Sequence, residues 1–545
     1  MAQSPARSVA LWVALVVYVT LAWSTVRAVG VVGEVAIGWA LPTPPTVLTR
    51  LAPPDESIDR VGPLEARPAR PTESLVMGGV RLPLAVNAYT GGLPDWPARS
   101  ARAAAGLFTS DPRVKLSAGT TANVLLGALL LTLAHRFLRF HGTATAAGAA
   151  ALLLASDWSF VFYRKVLGGT EILLQAAGLL VLWSLWSRRW KGGTHGTLAI
   201  AVGIGAGLLA KSTFVATLAA FGAAAVLTRW DRSAMRPPDR FHRGVVIAIP
   251  LAILSPLIIT TVHHAFLPSA IVSHDTLAMQ FGRLGGAGAS ARENVGNLLA
   301  FLGHPLTTFH AAWGCDSVIA ASPLRIVGFL LALGGVALEW RHRTVSASAA
   351  LLRYLSLAVP LQIGFLFLAN HDLHHLAQAT VPLALLLALA ADRLAATASP
   401  PRSPMRALTT LALISPFLIA GVTELRNTDT IVRTCRSPSF TEAGQDALIA
   451  MLRRNNVHRL VTTSYESYGM IEARAPDITV IDAWGAMSNG ERDLPALLGV
   501  ASGGYYLSMK GSAPFIYDWR PPHVPGQIDT ISDGESNWAE LYRVE

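Results

Sequence analysis

Three groups of charged and polar side chains lie at the ends of apolar runs, where they could do chemistry at a membrane surface. The first group is the acidic pair Asp55 and Glu56 in the segment LAPPDESIDR. A carboxylate here could take a proton from an acceptor hydroxyl group or hold a divalent cation. A solvated loop charge is the alternative interpretation, because two adjacent acidic residues form a weak motif by themselves.

The second group lies between two apolar runs, in the segment SDWSFVFYRKVLGGTEI. Its members are Asp157, Tyr163, Arg164, Lys165 and Glu171. Lys211, in the segment GLLAKSTF, lies at a similar boundary. Cations held at this surface suit the phosphate group of a lipid. Pairing with the nearby carboxylates, or extension of the long side chains into the interface, would explain each cation singly. Taken together, they favour a phosphate site.

The third group lies where a late apolar run begins, in the segment ANHDLHHLAQ. It consists of His371, Asp372, His374 and His375. Imidazole and carboxylate groups at this spacing could ligate a metal or bind phosphate. The spacing matches no zinc signature, so polar helix-end residues that line a water-filled cavity are the favoured interpretation.

The composition indicates which elements must position these groups. Of the 545 residues, 52% are hydrophobic and only 14% are charged. A soluble domain carries about 25% charged residues, so much of this surface must face something other than water. The net charge of +10 does not indicate nucleic-acid binding, because the basic residues lie in short clusters between apolar runs.

The apolar runs predict a polytopic all-α membrane protein with about eleven transmembrane helices. The predicted spans lie near residues 9–26, 117–134, 143–157, 171–186, 196–210, 212–228, 244–263, 323–340, 349–369, 376–395 and 407–424. If the N-terminus is inside, every predicted cytoplasmic connection is short and basic, and the long connections all fall on the opposite side. The topology therefore predicts that the C-terminal domain lies outside.

Two domains are predicted, a membrane domain over residues 1–424 and a soluble domain over residues 425–545. In the first outer loop, residues 43–116, the second half predicts short helices that lie along the membrane surface. In the soluble domain, TEAGQDALIAMLRRNN predicts an amphipathic helix, and RLVTTS and DITVIDAW predict strands. This alternation indicates a small α/β domain.

The two cysteines, Cys315 and Cys435, both fall outside the cytoplasm in this topology. Two cysteines exclude a disulfide framework and a cysteine-based metal site. Unpaired thiols are the favoured interpretation, with a single disulfide bridge as the alternative.

Five segments resemble the GT-C superfamily of integral-membrane glycosyltransferases, in particular the bacterial relatives of the protein O-mannosyltransferases and of the aminoarabinose transferase. They are the pair Asp55–Glu56, RLPLAVNAYTGGLPDW with Tyr89, FYRKVLGGTEILLQAAGLLVLW, AGLLAKSTF and HHLAQATVPLALLLALA. The similarity is one of pattern and covers about residues 1–395.

The resemblance implies a multi-pass enzyme of the bacterial cytoplasmic (inner) membrane that moves a sugar from a polyprenyl-phosphate donor to an acceptor on the periplasmic side. Asp55 would be the general base, with Glu56 as its neighbour and Glu34 as an alternative acidic group. The sugar and the acceptor, whether protein, lipid or polysaccharide, are not specified. Some members need a divalent metal and others do not, so metal dependence stays open.

The resemblance also implies roles for the second group of residues. Arg164, Lys165 and Lys211 would contact the donor phosphate. Glu171 or Asp157 would orient these cations. Fixed positive charge and a positioned base suit this reaction, because the phosphate leaves as a stabilised anion.

Two other classes of protein fit part of the sequence. A transporter or lipid flippase would also be polytopic, but transporters usually show internal repeats with matched broken helices, and no such symmetry is evident. A non-catalytic membrane scaffold with an external glycan-binding domain is the third hypothesis, and the presence of the acidic pair argues against it.

Overall fold

The described part of the chain consists of a bundle of apolar helices and a smaller mixed sheet. The computed structural model describes residues 9–24, 73–77, 80–86, 96–166, 169–191, 195–211, 213–228, 244–255, 322–369, 373–400, 403–434, 441–462, 467, 470–471, 474–475, 477–482, 504–509, 527–532 and 537–543.

The helices follow the apolar runs closely. They are α1 (Val9–Ser24), α2 (Trp96–Gly106), α3 (Pro112–His141), α4 (Ala144–Ser156), α5 (Trp158–Val166), α6 (Gly169–Lys191), α7 (His195–Ala210), α8 (Phe214–Leu227), α9 (Gly244–Ser255), α10 (Pro323–His342), α11 (Ala347–Ala369), the 3-10 helix η1 (Leu373–Ala379), α12 (Thr380–Ala398), α13 (Pro404–Thr434) and α14 (Glu442–Arg454).

Five described helices are long and apolar enough to cross a membrane: α3, α10, α11, α12 with the end of η1, and α13. The other predicted spans coincide with shorter apolar helices of 10–17 residues, which are α1, α4, α7, α8, α9 and the core of α6. The protein is therefore a mostly helical, multi-pass membrane protein, as the composition predicts.

The central helix α4 shows why these segments form the bundle interior. It is apolar on all sides, and ten of its thirteen residues are buried, as expected for a helix surrounded by other helices. Thr143 caps its first turn, where the hydroxyl oxygen accepts a hydrogen bond from the amide of Ala146 at 3.0 Å. The cap fixes where the helix begins.

Two glycines allow helices to approach closely. A Cβ atom on Gly421 of α13 would lie 2.1 Å from the carbonyl oxygen of Ser156, at the end of α4. A Cβ atom on Gly335 of α10 would lie 2.2 Å from the carbonyl oxygen of Ala390 in α12. Small residues at such contacts let membrane helices pack backbone to backbone. The first contact brings α13 onto the end of α4.

Buried ion pairs tie the helices together at the opposite end of α4. Glu339, near the end of α10, is fully buried and pairs with Arg353 and, at 2.9 Å, with Arg393. Asp392 pairs with Arg406 at 2.7 Å. A buried carboxylate persists only where cations or donors satisfy it, and each of these has such partners.

The smaller unit contains α14 and a five-stranded sheet. Its strands are β3 (Arg459–Thr462), β4 (Thr479–Asp482), β5 (Tyr505–Met509), β6 (Gln527–Ser532) and β7 (Asn537–Arg543), in the order β4-β3-β5-β7-β6. β3 is parallel to β4 and β5, and β7 is antiparallel to β5 and β6. α14, β3 and β4 occupy the segments predicted as helix and strands.

This unit contacts α2 and the beginning of α3. Ala98 and Leu116 belong to the same buried apolar cluster as Leu448 of α14. At the edge of the cluster, Arg113 pairs with Asp446 at 2.8 Å. The apolar contacts carry most of this attachment, because the ion pair is solvent-exposed and such pairs contribute about 0–1 kcal/mol.

Part of the first outer loop differs from its prediction. α2 is helical, but the preceding segment forms an antiparallel pair of strands, β1 (Glu73–Met77) and β2 (Val80–Val86). The prediction of surface helices is wrong for this segment. Gly78 and Gly79 stand between the strands and Pro83 lies within the second, and these residues favour a hairpin over a helix.

Candidate active site

The short helix α5 begins at Asp157, one of the residues singled out from the sequence. Its carboxylate Oδ1 accepts a hydrogen bond from the amide of Phe160 at 2.9 Å, and its carbonyl oxygen accepts one from the amide of Val161 at 3.0 Å. Asp157 is therefore the N-cap of α5, where a negative charge also interacts favourably with the helix dipole.

Asp157 lies beside a buried ion pair between α10 and α13. Arg325 Nε and Nη2 donate to the two carboxylate oxygens of Glu424, each at 2.5 Å. The Oδ2 atom of Asp157 lies 3.8 Å from Arg325 Nη2. Arg325 and Glu424 are both buried, and the bidentate geometry fixes the planes of the two groups relative to each other.

A second contact joins α5 to α13. The indole nitrogen of Trp158 donates to the hydroxyl oxygen of Thr428 at 2.6 Å, and that hydroxyl group donates to the carbonyl oxygen of Glu424 at 2.7 Å. All three residues are buried. The beginning of α5 is thus attached to α13 directly, through Trp158, and indirectly, through the contact of Asp157 with Arg325 of α10.

Lys211 lies at the junction of α7 and α8 and is 8% exposed. Its backbone is satisfied, since its amide donates to the carbonyl of Gly207 and its carbonyl accepts from the amide of Phe214. Among the described residues, no carboxylate lies within 4.0 Å of its ammonium group.

A layer of buried amides connects this junction to η1. Gln378 donates to the hydroxyl of Thr213 at 2.7 Å, and Gln362 of α11 donates to the hydroxyl of Thr217 at 2.8 Å. From α6, Gln175 donates to the carbonyl of Ala377 at 2.5 Å. These bonds join α6, α8 and α11 to η1, the 3-10 helix that carries His374 and His375.

A cleft opens beside Asp157. Its lining includes Asp157, Ser159, Arg325 and Thr380 and the apolar side chains of Phe329, Leu383, Leu387 and Phe417. A smaller cleft of about 200 Å³ shares Leu387 and Phe417 with it and lies between α10, α12 and α13. The space is therefore polar at one end and apolar along the helices.

The structure describes the predicted site residues to different extents. Asp157 and Lys211 are placed as described above, and Glu171 is buried in the first turn of α6. The backbone places Tyr163, Arg164 and Lys165 on α5 and His374 and His375 on η1. The remainder lie outside the described residues: Glu34, Asp55, Glu56, Tyr89, Cys315, His371, Asp372 and Cys435.

Sequence reasoning missed Arg325 and Glu424. Arg325 is a single charged residue near the beginning of a long apolar run, and Glu424 is the first charged residue at the end of another. Such positions mark residues that need a partner. The predicted topology puts both at the same membrane face as Asp157, but nothing in the sequence pairs them.

No protein-family model matches the sequence, and comparison with curated proteins gives no match. Among solved structures, apo ArnT from Cupriavidus metallidurans matches with a TM-score of 0.57 at 13% identity, over 97% of each chain. ArnT bound to undecaprenyl phosphate matches with the same TM-score at 11% identity, again over 97% of each chain.

An oligosaccharyltransferase from Archaeoglobus fulgidus matches with a TM-score of 0.49 at 16% identity, over 87% of this chain. This chain covers only 62% of that protein's length, and at that TM-score the similarity does not establish a shared fold. At 11–13% identity, the match to ArnT establishes the fold and not the activity. The chain therefore has the fold of ArnT, in agreement with the resemblance in sequence.

Proposed function

We propose that this protein is a membrane glycosyltransferase that moves a sugar from a polyprenyl-phosphate donor to an acceptor on the periplasmic side. The observation that carries the proposal is the position of Lys211, which is 8% exposed and has no carboxylate within 4.0 Å of its ammonium group among the described residues. An anionic partner stabilises a cation in a mostly buried position, and the phosphate group of the donor would supply one. The GT-C fold supports the proposal, since it is a fold in which such a site is expected.

The proposed reaction is a displacement at the anomeric carbon of the donor sugar. The acceptor hydroxyl loses its proton to the carboxylate of Asp55, with Glu56 beside it, and its oxygen forms the new bond to the anomeric carbon. The bond between that carbon and the phosphate oxygen breaks, and polyprenyl phosphate leaves with the electron pair. Fixed cations are the main requirement for such a leaving group.

Lys211, Arg164 and Lys165 supply these cations. Arg164 and Lys165 lie on α5, whose beginning is fixed at Asp157, and Lys211 lies at the junction of α7 and α8. The two clefts offer apolar walls, such as Leu387 and Phe417, along which an isoprenoid chain could lie. One solved structure of ArnT contains undecaprenyl phosphate, which makes that lipid the first donor carrier to test.

The proposal includes the topology. The six shorter apolar helices cross the membrane together with the five long ones, for about eleven spans in all, with the N-terminus inside and the C-terminal domain outside. In this arrangement Asp157, Arg325, Glu424 and Lys211 all lie at the outer face. The ion pairs of Glu339 and Asp392 lie at the cytoplasmic face.

The test is sugar transfer from a panel of radiolabelled polyprenyl-phosphate sugars by the purified protein, with Asp55→Asn beside the wild type. Asp477→Asn is the matched control, because Asp477 is exposed and lies in the soluble domain. Loss of a general base typically lowers the rate about 10²- to 10⁴-fold, and we expect that loss for Asp55→Asn alone. Transfer that survives would move the base to Glu56, Asp59 or Glu34. Absence of transfer by the folded wild type would refute the proposal and favour a lipid-flipping function.

A further inference from the structure

Two sets of side-chain contacts, one at Asp157 and one at Trp158, attach the beginning of α5 to α13. We infer that Glu424, Arg325 and Thr428 are positioning residues, which fix α5 and with it Arg164 and Lys165 against the donor phosphate. The inference rests on the proposed function and adds residues to it, because none of these three belongs to the predicted phosphate site.

The first attachment runs through charge. Asp157 ends α4 and caps α5 through its bond to the amide of Phe160. Its second carboxylate oxygen lies 3.8 Å from Arg325 Nη2, and Glu424 holds that guanidinium through two bonds of 2.5 Å. Arg325 thus interacts with carboxylates from two helices, and its position determines where the cap of α5 lies.

The second attachment is a neutral hydrogen bond one residue further along. Trp158 donates to Thr428 at 2.6 Å, and Thr428 lies one helical turn after Glu424 in α13. Trp158 is fully buried and stacks on Phe162, with ring centroids 4.5 Å apart. The ring of Phe160 contacts that of Tyr18 in α1, at 5.5 Å. The first half of α5 is therefore enclosed, and α13 and α1 contribute to its direction together with α3, α4 and α6, which also contact it.

Geometry makes the direction of α5 important. Arg164 lies seven residues after Asp157, a distance of about 10 Å along a helix. A tilt of about 10° at the anchored end would move the Cα atom of Arg164 by about 2 Å. Misplacement of a binding group by about 1 Å can cost about 10²-fold in rate. The anchor at Asp157 and Trp158 therefore determines whether Arg164 and Lys165 reach the phosphate.

The chain offers a matched control at the other end of the bundle. Glu339 is also fully buried and also pairs with arginines, Arg353 and Arg393. It differs from Glu424 in having no described contact with α5. A general effect of losing a buried carboxylate would appear in Glu339→Gln and Glu424→Gln alike, whereas an effect on α5 would appear in the second alone.

The experiment compares wild type, Glu424→Gln, Thr428→Val and Glu339→Gln as full chains in lipid nanodiscs. Hydrogen exchange of the amides of residues 158–166 reports the anchoring of α5, and equilibrium binding of radiolabelled undecaprenyl phosphate reports the phosphate site. We expect exchange in α5 to accelerate about tenfold or more in Glu424→Gln and Thr428→Val. We expect binding to weaken about tenfold in the same two variants, with both quantities within about twofold of wild type in Glu339→Gln.

Thr428→Val keeps the size of the side chain and the ion pair, so it tests the anchor even if Glu424→Gln fails to fold. Unchanged hydrogen exchange in α5 would overturn the inference, whatever the result of the lipid-binding measurement. Faster exchange with unchanged lipid binding, or an equal loss of binding in Glu339→Gln, would overturn the positioning role. Absence of lipid binding by the wild type, with α5 still responding to Thr428→Val, would refute the proposed function and leave the anchor in place.

Discussion

Replacing Lys211 by methionine should make the protein more stable and the donor site weaker. Lys211 is 8% exposed, and its backbone hydrogen bonds to Gly207 and Phe214 do not depend on the side chain. Methionine has nearly the same length and no charge, so the substitution removes the ammonium group and keeps the packing. A residue with a purely structural role would not show opposite changes in stability and binding.

The expected changes in the free energy of unfolding and in lipid affinity follow from the surroundings of the Lys211 side chain. Replacing a buried ion pair by apolar groups of similar volume is often neutral or stabilising by about 1–4 kcal/mol, and for the single charge of Lys211 we expect about 1–3 kcal/mol. Losing a hydrogen bond to a charged group costs about 1.5–3 kcal/mol of binding free energy. That range corresponds to roughly 10- to 150-fold weaker binding of undecaprenyl phosphate.

The free energy of unfolding can be measured by denaturant titration in mixed micelles, and the dissociation constant with radiolabelled lipid in nanodiscs. Lys115→Met is the control. It removes the same charge from a residue near the beginning of α3 that does not belong to the proposed phosphate site. We expect that control to change stability by no more than about 0.5 kcal/mol. A Lys211→Met protein that is destabilised and still binds the lipid like wild type would refute the reasoning.

Two further predictions concern packing and pH. Gly421→Val should lower the free energy of unfolding by about 1–3 kcal/mol or more, because a Cβ atom would lie 2.1 Å from the carbonyl oxygen of Ser156. The control is Gly364→Val, because nothing lies within 4 Å of a Cβ atom at that position. Denaturant titration of both variants should show little loss of stability for the control. The second prediction concerns Asp529 in the smaller unit. Partial burial raises the pKa of its carboxyl group, but hydrogen bonds and charge, chiefly from Arg454, have the larger effect and lower that pKa below its usual value. This stabilisation is present above the unfolded pKa of about 3.9 and is lost as pH falls through the folded pKa. The thermal midpoint of wild type should therefore exceed that of Asp529→Asn at pH 7, and the difference should shrink only as the pH falls below about 4.

The apolar helices could be predicted because a membrane span needs a continuous apolar run. α4, for example, covers Ala144–Ser156, against a predicted span of 143–157. The helix α5 was not predicted, because its nine residues are too few and too mixed to show a period. It forms because Asp157 caps it and the Trp158 side chain is buried. Capping of a short helix is a local signal, but burial of the tryptophan depends on α13, which is distant in the sequence.

The ion pair of the candidate site could be predicted only in part. Their positions at the ends of apolar runs indicate that Arg325 and Glu424 need partners, but the two residues are 99 positions apart. Their pairing depends on how α10 and α13 pack, and that packing depends on contacts such as the one between Gly328 of α10 and Phe417 of α13. The proposed roles of Asp55, Glu56, Tyr89, His371 and Asp372 stay predictions, since these residues lie outside the described ones.

The length of α13 affects how the chain can be shortened. Its 31 residues extend about 46 Å at 1.5 Å per residue, whereas the hydrocarbon layer is about 30 Å thick. The helix therefore continues well past the lipid, and α14 begins only eight residues after Thr434. A chain truncated at the predicted domain boundary, near residue 424, would lose the last turns of α13 and Thr428 with them. Any test of whether the soluble domain selects the acceptor should therefore end the shortened protein at Thr434 or beyond.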